Sequence, residues 1–243
     1  MVRILQCVAE EQGPFSVRPL ANQLKLPPST VHRLLQQLVM TGMVERADRD
    51  AYRPGQELFR MASLLMRRFD VRTVARPLLL ELWRQWQETC SICLYAPAER
   101  AATVLDTIPS PHPVRYVIEA SATLPLAWGS LGRSMLAFLA QEDIDKVLEQ
   151  SKRGPLSGAP APPRAELLQQ LGRIRRRGYA VYEDRVKLDI AGVAAPVFGS
   201  AGTVIGCLGV TMPASRYKAR DRARLGAAVA GAAARLTAAL AGS

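Results

Sequence analysis

The sequence predicts an α+β chain in which a small, mostly helical domain (residues 1–55) is joined by a linker helix (56–70) to a larger domain of strands and helices (71–243). Three observations predict it. Apolar residues recur at helical spacing three times within the first forty positions. One further amphipathic stretch, 56–69, stands alone after a strand-turn-strand pattern. Beyond residue 90, strand-like runs open and close a region with helices between them, the order of a sheet domain with one face covered.

In the first domain, Ile4, Leu5 and Val8 share a helix face, and Gly13-Pro14 stops that helix. Ser16 suits an N-cap, and Val17, Leu20, Ala21 and Leu24 follow at i, i+3, i+4 and i+7. Pro19 falls in the first turn, where its missing N–H costs little. Lys25-Leu26-Pro27 makes a short turn. Pro28-Ser29-Thr30 then opens a third helix through Val31, Leu34, Leu35 and Leu38, ending at Thr41-Gly42. Two helices joined by so short a turn read as a helix-turn-helix.

Ser29, Thr30, His32, Arg33, Gln36 and Gln37 lie off the apolar stripe of the third helix. Short polar side chains at a helix start reach phosphates and base edges, and arginine binds guanine in a bidentate fork. Next, Met43-Val44-Glu45-Arg46, the polar turn Asp48-Arg49-Asp50 and Ala51-Tyr52-Arg53 read as strand, tight turn, strand. That is a wing, on which Arg46, Arg49 and Arg53 can reach the DNA backbone or minor groove. Every amphipathic helix has a polar side, however, and winged helices also dock proteins. A small-molecule sensor or enzyme with a protein-docking N-terminus is therefore the alternative to a DNA-binding regulator.

The stretch 56–69 places Leu58, Met61, Ala62, Leu65 and Met66 on one face, suited to a linker or to a dimer seam. A helix at 71–87 carries Leu78, Leu79, Leu82, Trp83 and Trp86. Strands are expected at 91–96, 102–108 and 114–119, and helices at 129–140 and 142–150. A Pro/Gly-rich loop at 152–164 precedes a helix at 165–177, ended by Gly178. Strands at 179–184, 192–198 and 204–212 and an Ala-rich helix at 220–240 complete the chain.

Composition narrows the classes. At 49% hydrophobic and 22% charged, the chain buries a normal core. No run of about 18 apolar residues is present to span a bilayer. The start lacks a signal-peptide cleavage pattern, and four cysteines are too few for a disulfide scaffold, so a cytoplasmic, reducing setting is expected. The net charge of +11 points to a polyanionic partner, nucleic acid before a membrane surface. Yet residues 1–70 hold ten basic and seven acidic residues, leaving twenty-two and fourteen beyond, so +3 and +8. The placement of a few side chains, not the net charge, carries the DNA-binding expectation. The remaining surplus fits long-range attraction to DNA or simply an arginine-preferring composition.

Enzyme, cofactor and metal signals are weak. Cys90-Ser91-Ile92-Cys93 lacks a second ligand pair and reads as buried strand cysteines. His32 belongs to the third helix, and His112 sits between two prolines in a turn expected at the surface. No HExxH, Walker A or paired-carboxylate motif is present. Gly199-Ser200-Ala201-Gly202 reads as a hairpin turn.

Several ordered segments together resemble the IclR family of transcriptional regulators. Leu26-Pro27-Pro28-Ser29-Thr30-Val31-His32-Arg33-Leu34-Leu35 is similar to the family's recognition-helix start, and Tyr52-Arg53-Pro54-Gly55 to the segment after its wing. Arg76-Pro77-Leu78, Leu124-Pro125-Leu126, Leu131-Gly132-Arg133-Ser134-Met135-Leu136-Ala137, Arg177-Gly178-Tyr179-Ala180, Ala194-Ala195-Pro196-Val197-Phe198 and Pro213-Ala214-Ser215-Arg216 extend the likeness over nearly the whole chain. The family's usual leader before the first helix is nearly absent.

The resemblance implies a transcriptional regulator, expected to be a repressor, that binds an operator as a homodimer or homotetramer. It also implies a GAF-like effector-binding domain for a small organic acid, often aromatic, held partly by backbone N–H groups at a helix start. The matching segment is Trp128-Gly129-Ser130-Leu131-Gly132; other matching positions are Leu124, Tyr182, Gly192, Gly209 and Thr211. Glycines let the chain approach a ligand closely, and free N–H groups at a helix N-terminus favour a carboxylate. The family often has an acidic residue at Tyr182, Cys at Gly192, Ser at Gly209 and His at Ala127. These departures imply a roomier, less polar pocket and a larger or more aromatic effector. Trp128 and Tyr182 either wall that pocket or are simply core aromatics.

Overall fold

The computed structural model describes residues 2–11, 13–48, 51–68, 71–151, 153–155, 158, 160 and 162–241. The chain divides into two compact units, Met1–Asp70 and Val71–Ser243.

The first unit runs α1 (Val2–Glu10), α2 (Val17–Leu24), α3 (Pro28–Met40), β1 (Val44–Asp48), β2 (Ala51–Pro54) and α4 (Gln56–Arg68). Ile4, Val8, Leu20, Ala21, Leu24, Val31, Leu35 and Leu38 meet in one core with Val44 and Tyr52 of the hairpin, with Leu34 half-buried beside them. Lys25 closes α2 in the left-handed conformation at φ 54°, and its N–H bonds back to Ala21 and Asn22. That reversal ends α2 before the short turn to α3, and the two helices pack against each other. Ser16 stands at the N-cap of α2 in extended backbone, but its side chain makes no capping bond.

β1 and β2 pair antiparallel, with Arg46 opposite Tyr52. Phe15 adds a two-way backbone bridge to Tyr52 at 2.9 and 2.8 Å, so the wing is fastened to the segment before α2. Gly55 is required where α4 begins: a β-carbon there would lie 2.2 Å from the Gly42 carbonyl oxygen. On α4, Leu58 packs against the core, while Phe59, Met61 and Leu64 are exposed. The side chains of Leu65 and Met66, and Phe69 altogether, fall outside the described residues.

The second unit runs α5 (Val71–Trp86), β3 (Thr89–Ala96), β4 (Ala101–Ile108), β5 (Thr123–Pro125), α6 (Gly129–Leu136), α7 (Gln141–Gln150), α8 (Arg164–Arg177), β6 (Ala180–Asp184), β7 (Ile190–Phe198), β8 (Val204–Pro213) and α9 (Arg222–Ala241). The strands form one antiparallel sheet in the order β5-β4-β3-β8-β7-β6. This is the GAF-like α+β arrangement, with one correction: both faces of the sheet are covered. Ile92, Val193, Ala195, Leu208 and Val210 face a core shared with α5 and α9. Cys93, Ala194 and Cys207 face a second core shared with α6, α7 and α8. The reason is visible in β7 and β8, whose apolar runs are nearly continuous, as in strands buried on both sides. Each large apolar side chain taken into these cores contributes roughly 1.5–3 kcal/mol.

Two other expectations are corrected. Residues 114–119 are not a strand; the chain there is irregular, because the free edge of β4 is taken by the three-residue β5 and by bonds between Val104 and residues 121 and 122. The helix expected at 129–140 ends at Leu136. Cys90 and Cys93 belong to different cores on opposite sheet faces. Burial, with the Glu88 charge nearby, pushes the Cys90 thiol up to about 12. The backbone of His112 donates to Ser110 Oγ, and its side chain is half-buried rather than at the open surface.

Asp106, buried on β4, accepts two hydrogen bonds from Arg76 Nη1 of α5 at 2.9 and 2.7 Å and one from Arg72 at 3.4 Å. This is the main polar tie between α5 and the sheet.

Candidate DNA-binding surface and ligand cavity

α3 buries Val31, Leu35 and Leu38 and turns its polar side outward. Ser29, His32, Arg33 and Gln37 are exposed, and Thr30 is half-buried. Among the described residues, Arg33 and Arg46 have no hydrogen-bond or ion-pair partner, and both are exposed. Gln36 differs from its neighbours. It is half-buried, and its Nε2 donates to Tyr52 Oη at 3.2 Å, with His32 Nε2 at 3.4 Å. Gln36 therefore ties the recognition helix to β2 of the wing.

Arg53 is also engaged: its Nε and Nη2 donate to Glu45 Oε2 at 3.2 and 3.1 Å. The other Glu45 oxygen accepts the Gln56 N–H at 3.0 Å, and these contacts hold the Glu45 carboxyl below the usual carboxylate range. Arg53 thus faces solvent with its charge partly matched. Arg49 lies outside the described residues.

In the second unit, a cavity of about 480 Å³ opens between the start of α6, the sheet and the irregular segments 116–119 and 154–155. Leu124, Trp128, Gly129, Ser130, Leu131, Gly132, Tyr182, Gly192 and Thr211 all line it. Tyr182, Gly192 and Thr211, far apart in sequence, form one cross-strand row: Gly192 of β7 is paired with Tyr182 of β6 on one side and Thr211 of β8 on the other. The first turn of α6 stands over that row.

Gly129 begins α6 at φ +67°, a conformation that glycine adopts without strain. Gly132 lets the helix pack against the chain after β5, since a β-carbon there would lie 2.5 Å from the Pro125 carbonyl oxygen. The first-turn N–H groups of α6 have no partner within the helix, and Trp128 at the N-cap supplies no side-chain bond.

Gly209 is not on the cavity wall. A β-carbon on it would lie 2.7 Å from Leu131 Cδ2 and 2.9 Å from Ala194 Cβ, so this glycine makes room for α6 rather than for a ligand. Sequence reasoning missed Tyr116, Ile118 and Glu119 on one wall and Leu188 and Ile190 on another. Tyr116 is pinned there by its hydroxyl, which donates to the Leu188 carbonyl, and by its carbonyl, which accepts from Thr89 Oγ1 at 2.8 Å. The β-like composition of 114–119 concealed this role. Among the described residues, Glu119 is the one charged side chain on the wall, and it is exposed.

A winged helix-turn-helix with an outward polar helix face, coupled in one chain to an α+β unit with a ligand-sized cavity, defines a DNA-binding transcriptional regulator. Residues 64–238 match the family model described as bacterial transcriptional regulator IclR C-terminal, and residues 1–48 match the IclR helix-turn-helix domain. The chain belongs to the IclR family, whose members are transcriptional regulators and not enzymes.

The chain is 25% identical to the transcriptional repressor IclR of Escherichia coli over 242 residues, covering 99% of this chain and 88% of that protein. It is 31% identical to an HTH-type transcriptional regulator of Mycobacterium tuberculosis over 231 residues, 95% of this chain and 86% of that one. Among solved structures, an IclR-type regulator from a Silicibacter species superposes with a TM-score of 0.83 at 23% identity, covering 100% of this chain and 96% of that one. An IclR homolog from Microbacterium hydrocarbonoxydans, complexed with 4-hydroxybenzoate, gives 0.71 at 22% identity, with 100% and 98% covered. At these identities the two structures establish a shared fold.

Proposed function

We propose that this chain is a cytoplasmic repressor that binds an operator as a homodimer or a pair of dimers. A small organic acid, aromatic by preference, bound in the second unit lowers its operator affinity. The observation that carries the reading is the cavity itself. Backbone N–H groups at the start of α6, with Ser130, Tyr182 and Thr211, supply polar contacts suited to a carboxylate. Trp128, Leu124 and Ile190 supply an apolar wall suited to a ring. The volume of about 480 Å³ is far larger than a two- or three-carbon acid requires. A relative of the same fold is complexed with 4-hydroxybenzoate, an acid of the same class.

On this reading Ser29, Thr30, His32, Arg33 and Gln37 face the major groove, Arg46 and Arg49 contact the backbone from the wing, and α4 carries the dimer seam through Phe59, Met61 and Leu64. The acid acts only through unequal affinity for two arrangements of the dimer. Calorimetry with 4-hydroxybenzoate, glyoxylate and pyruvate tests the effector class, and tighter binding of the aromatic acid is expected. An aromatic acid that binds no more tightly than glyoxylate or pyruvate overturns that assignment. Fluorescence anisotropy on the duplex upstream of the chain's own gene tests operator binding and its control by the acid, with release expected when the acid is added, and transcription in vitro from that promoter tests repression.

A further inference from the structure

Arg133 lies in α6, immediately after the glycine that packs the helix down, and is 8% exposed. Its Nε donates to the Ala127 carbonyl at 2.9 Å, and its Nη1 donates to Gln170 Oε1 of α8 at 2.8 Å. Both acceptors are neutral. Among the described residues no carboxylate pairs with this guanidinium; the nearest acid in the network, Glu166, is reached only through Gln170 Nε2, at 3.1 Å. A buried charge without a counter-charge is costly. Burial accordingly depresses the Arg133 pKa, opposed by Tyr182 and Glu166. The guanidinium carbon sits over the Tyr182 ring, 5.4 Å from its centroid, and Tyr182 lines the cavity.

We propose that Arg133 is the counter-charge of the cavity: it favours a carboxylate bound at the start of α6 through its field and through the Tyr182 ring, without touching the ligand. This rests on the reading of the cavity as an organic-acid site. A cation over a phenol ring draws electron density from it and favours donation to an anion; on Tyr182 this works against burial and the Asp184 charge, which together hold its pKa above the usual phenol value. Arg133 itself is buried, and a buried charge is screened less than an exposed one. Glu119 opposes an anion, but it is exposed and therefore screened. Arg133 is thus a positioning and selectivity residue that separates an acid from its neutral isostere.

Calorimetry on the full chain with 4-hydroxybenzoate and 4-hydroxybenzamide tests this. The wild type is expected to prefer the acid. Arg133→Met is expected to weaken acid binding by about tenfold and leave the amide unchanged, and Arg133→Lys to restore the preference. Gln170→Glu provides a second route, because it places a carboxylate against Arg133 while leaving the guanidinium in position; the acid-to-amide ratio is expected to fall as in Arg133→Met. A ratio unchanged from wild type in both Arg133→Met and Gln170→Glu overturns the role of Arg133 and leaves the acid site standing. Wild-type protein that binds the amide as tightly as the acid, or binds neither, overturns the acid-site reading and the inference with it.

Discussion

Ser130 Oγ occupies the space that a β-carbon on Gly192 would need, 2.4 Å away. The first turn of α6 and the middle of β7 therefore meet without a side chain between them, and the cavity keeps its depth because residue 192 has none. Gly192→Ala is expected to force Ser130 into another rotamer and weaken acid binding by about tenfold. Its thermal midpoint should stay within a few degrees of wild type. In a double-mutant cycle the added loss should vanish once Ser130→Ala has removed the hydroxyl. A coupling below about 0.5 kcal/mol would show that the two positions do not compete.

Gln36 is expected to act on DNA through the wing. Breaking its bond to Tyr52 with Gln36→Ala should weaken operator binding by about 0.5–1.5 kcal/mol. The loss should be uniform across operators carrying single base-pair changes, and Tyr52→Phe should act in the same direction. A loss confined to one base pair would make Gln36 a base reader instead.

Arg33 and Arg46 are expected to separate by salt and by sequence. Arg33→Ala should cost roughly 1–3 kcal/mol on the operator and relax the preference at one position. Arg46→Ala should weaken operator and random duplex alike and reduce the slope of log affinity against log salt by about 1. Equal losses on random duplex for Arg33→Ala would reassign it to a phosphate contact.

Asp106 sets an acid limit on the second unit. Burial alone would raise its pKa, but the hydrogen bond from Arg76, the Thr107 N–H and Arg72 outweigh burial and leave it lowered. A carboxyl held lower in the folded state contributes its full stability above the unfolded value of about 3.9. That contribution is lost as pH falls through the lowered folded value. Asp106→Asn should destabilise the unit by about 1–3 kcal/mol at pH 7 and flatten its acid unfolding curve, measured by denaturant titration at several pH values. An unchanged curve would show that the pair contributes nothing net.

Much of this protein is written in short-range pattern. The helices of the first unit follow from apolar spacing and from Gly13-Pro14, Lys25-Leu26-Pro27 and Thr41-Gly42, because a helix closes its own hydrogen bonds and needs only a neighbour for its apolar face. The segment 114–119 departs from its strand-like pattern for the opposite reason. Its residues suit a strand, but a strand exists only where an edge is free to pair, and β4 had none to offer there. Covering of the second sheet face was signalled by the unbroken apolar runs of β7 and β8, a pattern that one-sided sheets do not show.

By itself the sequence determined the two-part architecture, the family, and which side chains face outward from α3. These depend on local periodicity and on ordered motifs. Only the tertiary structure decided that Gln36 and Arg53 are tied up within the wing, that Gly209 lies beneath α6 instead of on the cavity wall, and that Tyr182, Gly192 and Thr211 stand side by side. Those facts depend on register between strands and on which face of the sheet a helix covers. Both are set by packing between segments distant in the chain, which no local pattern records.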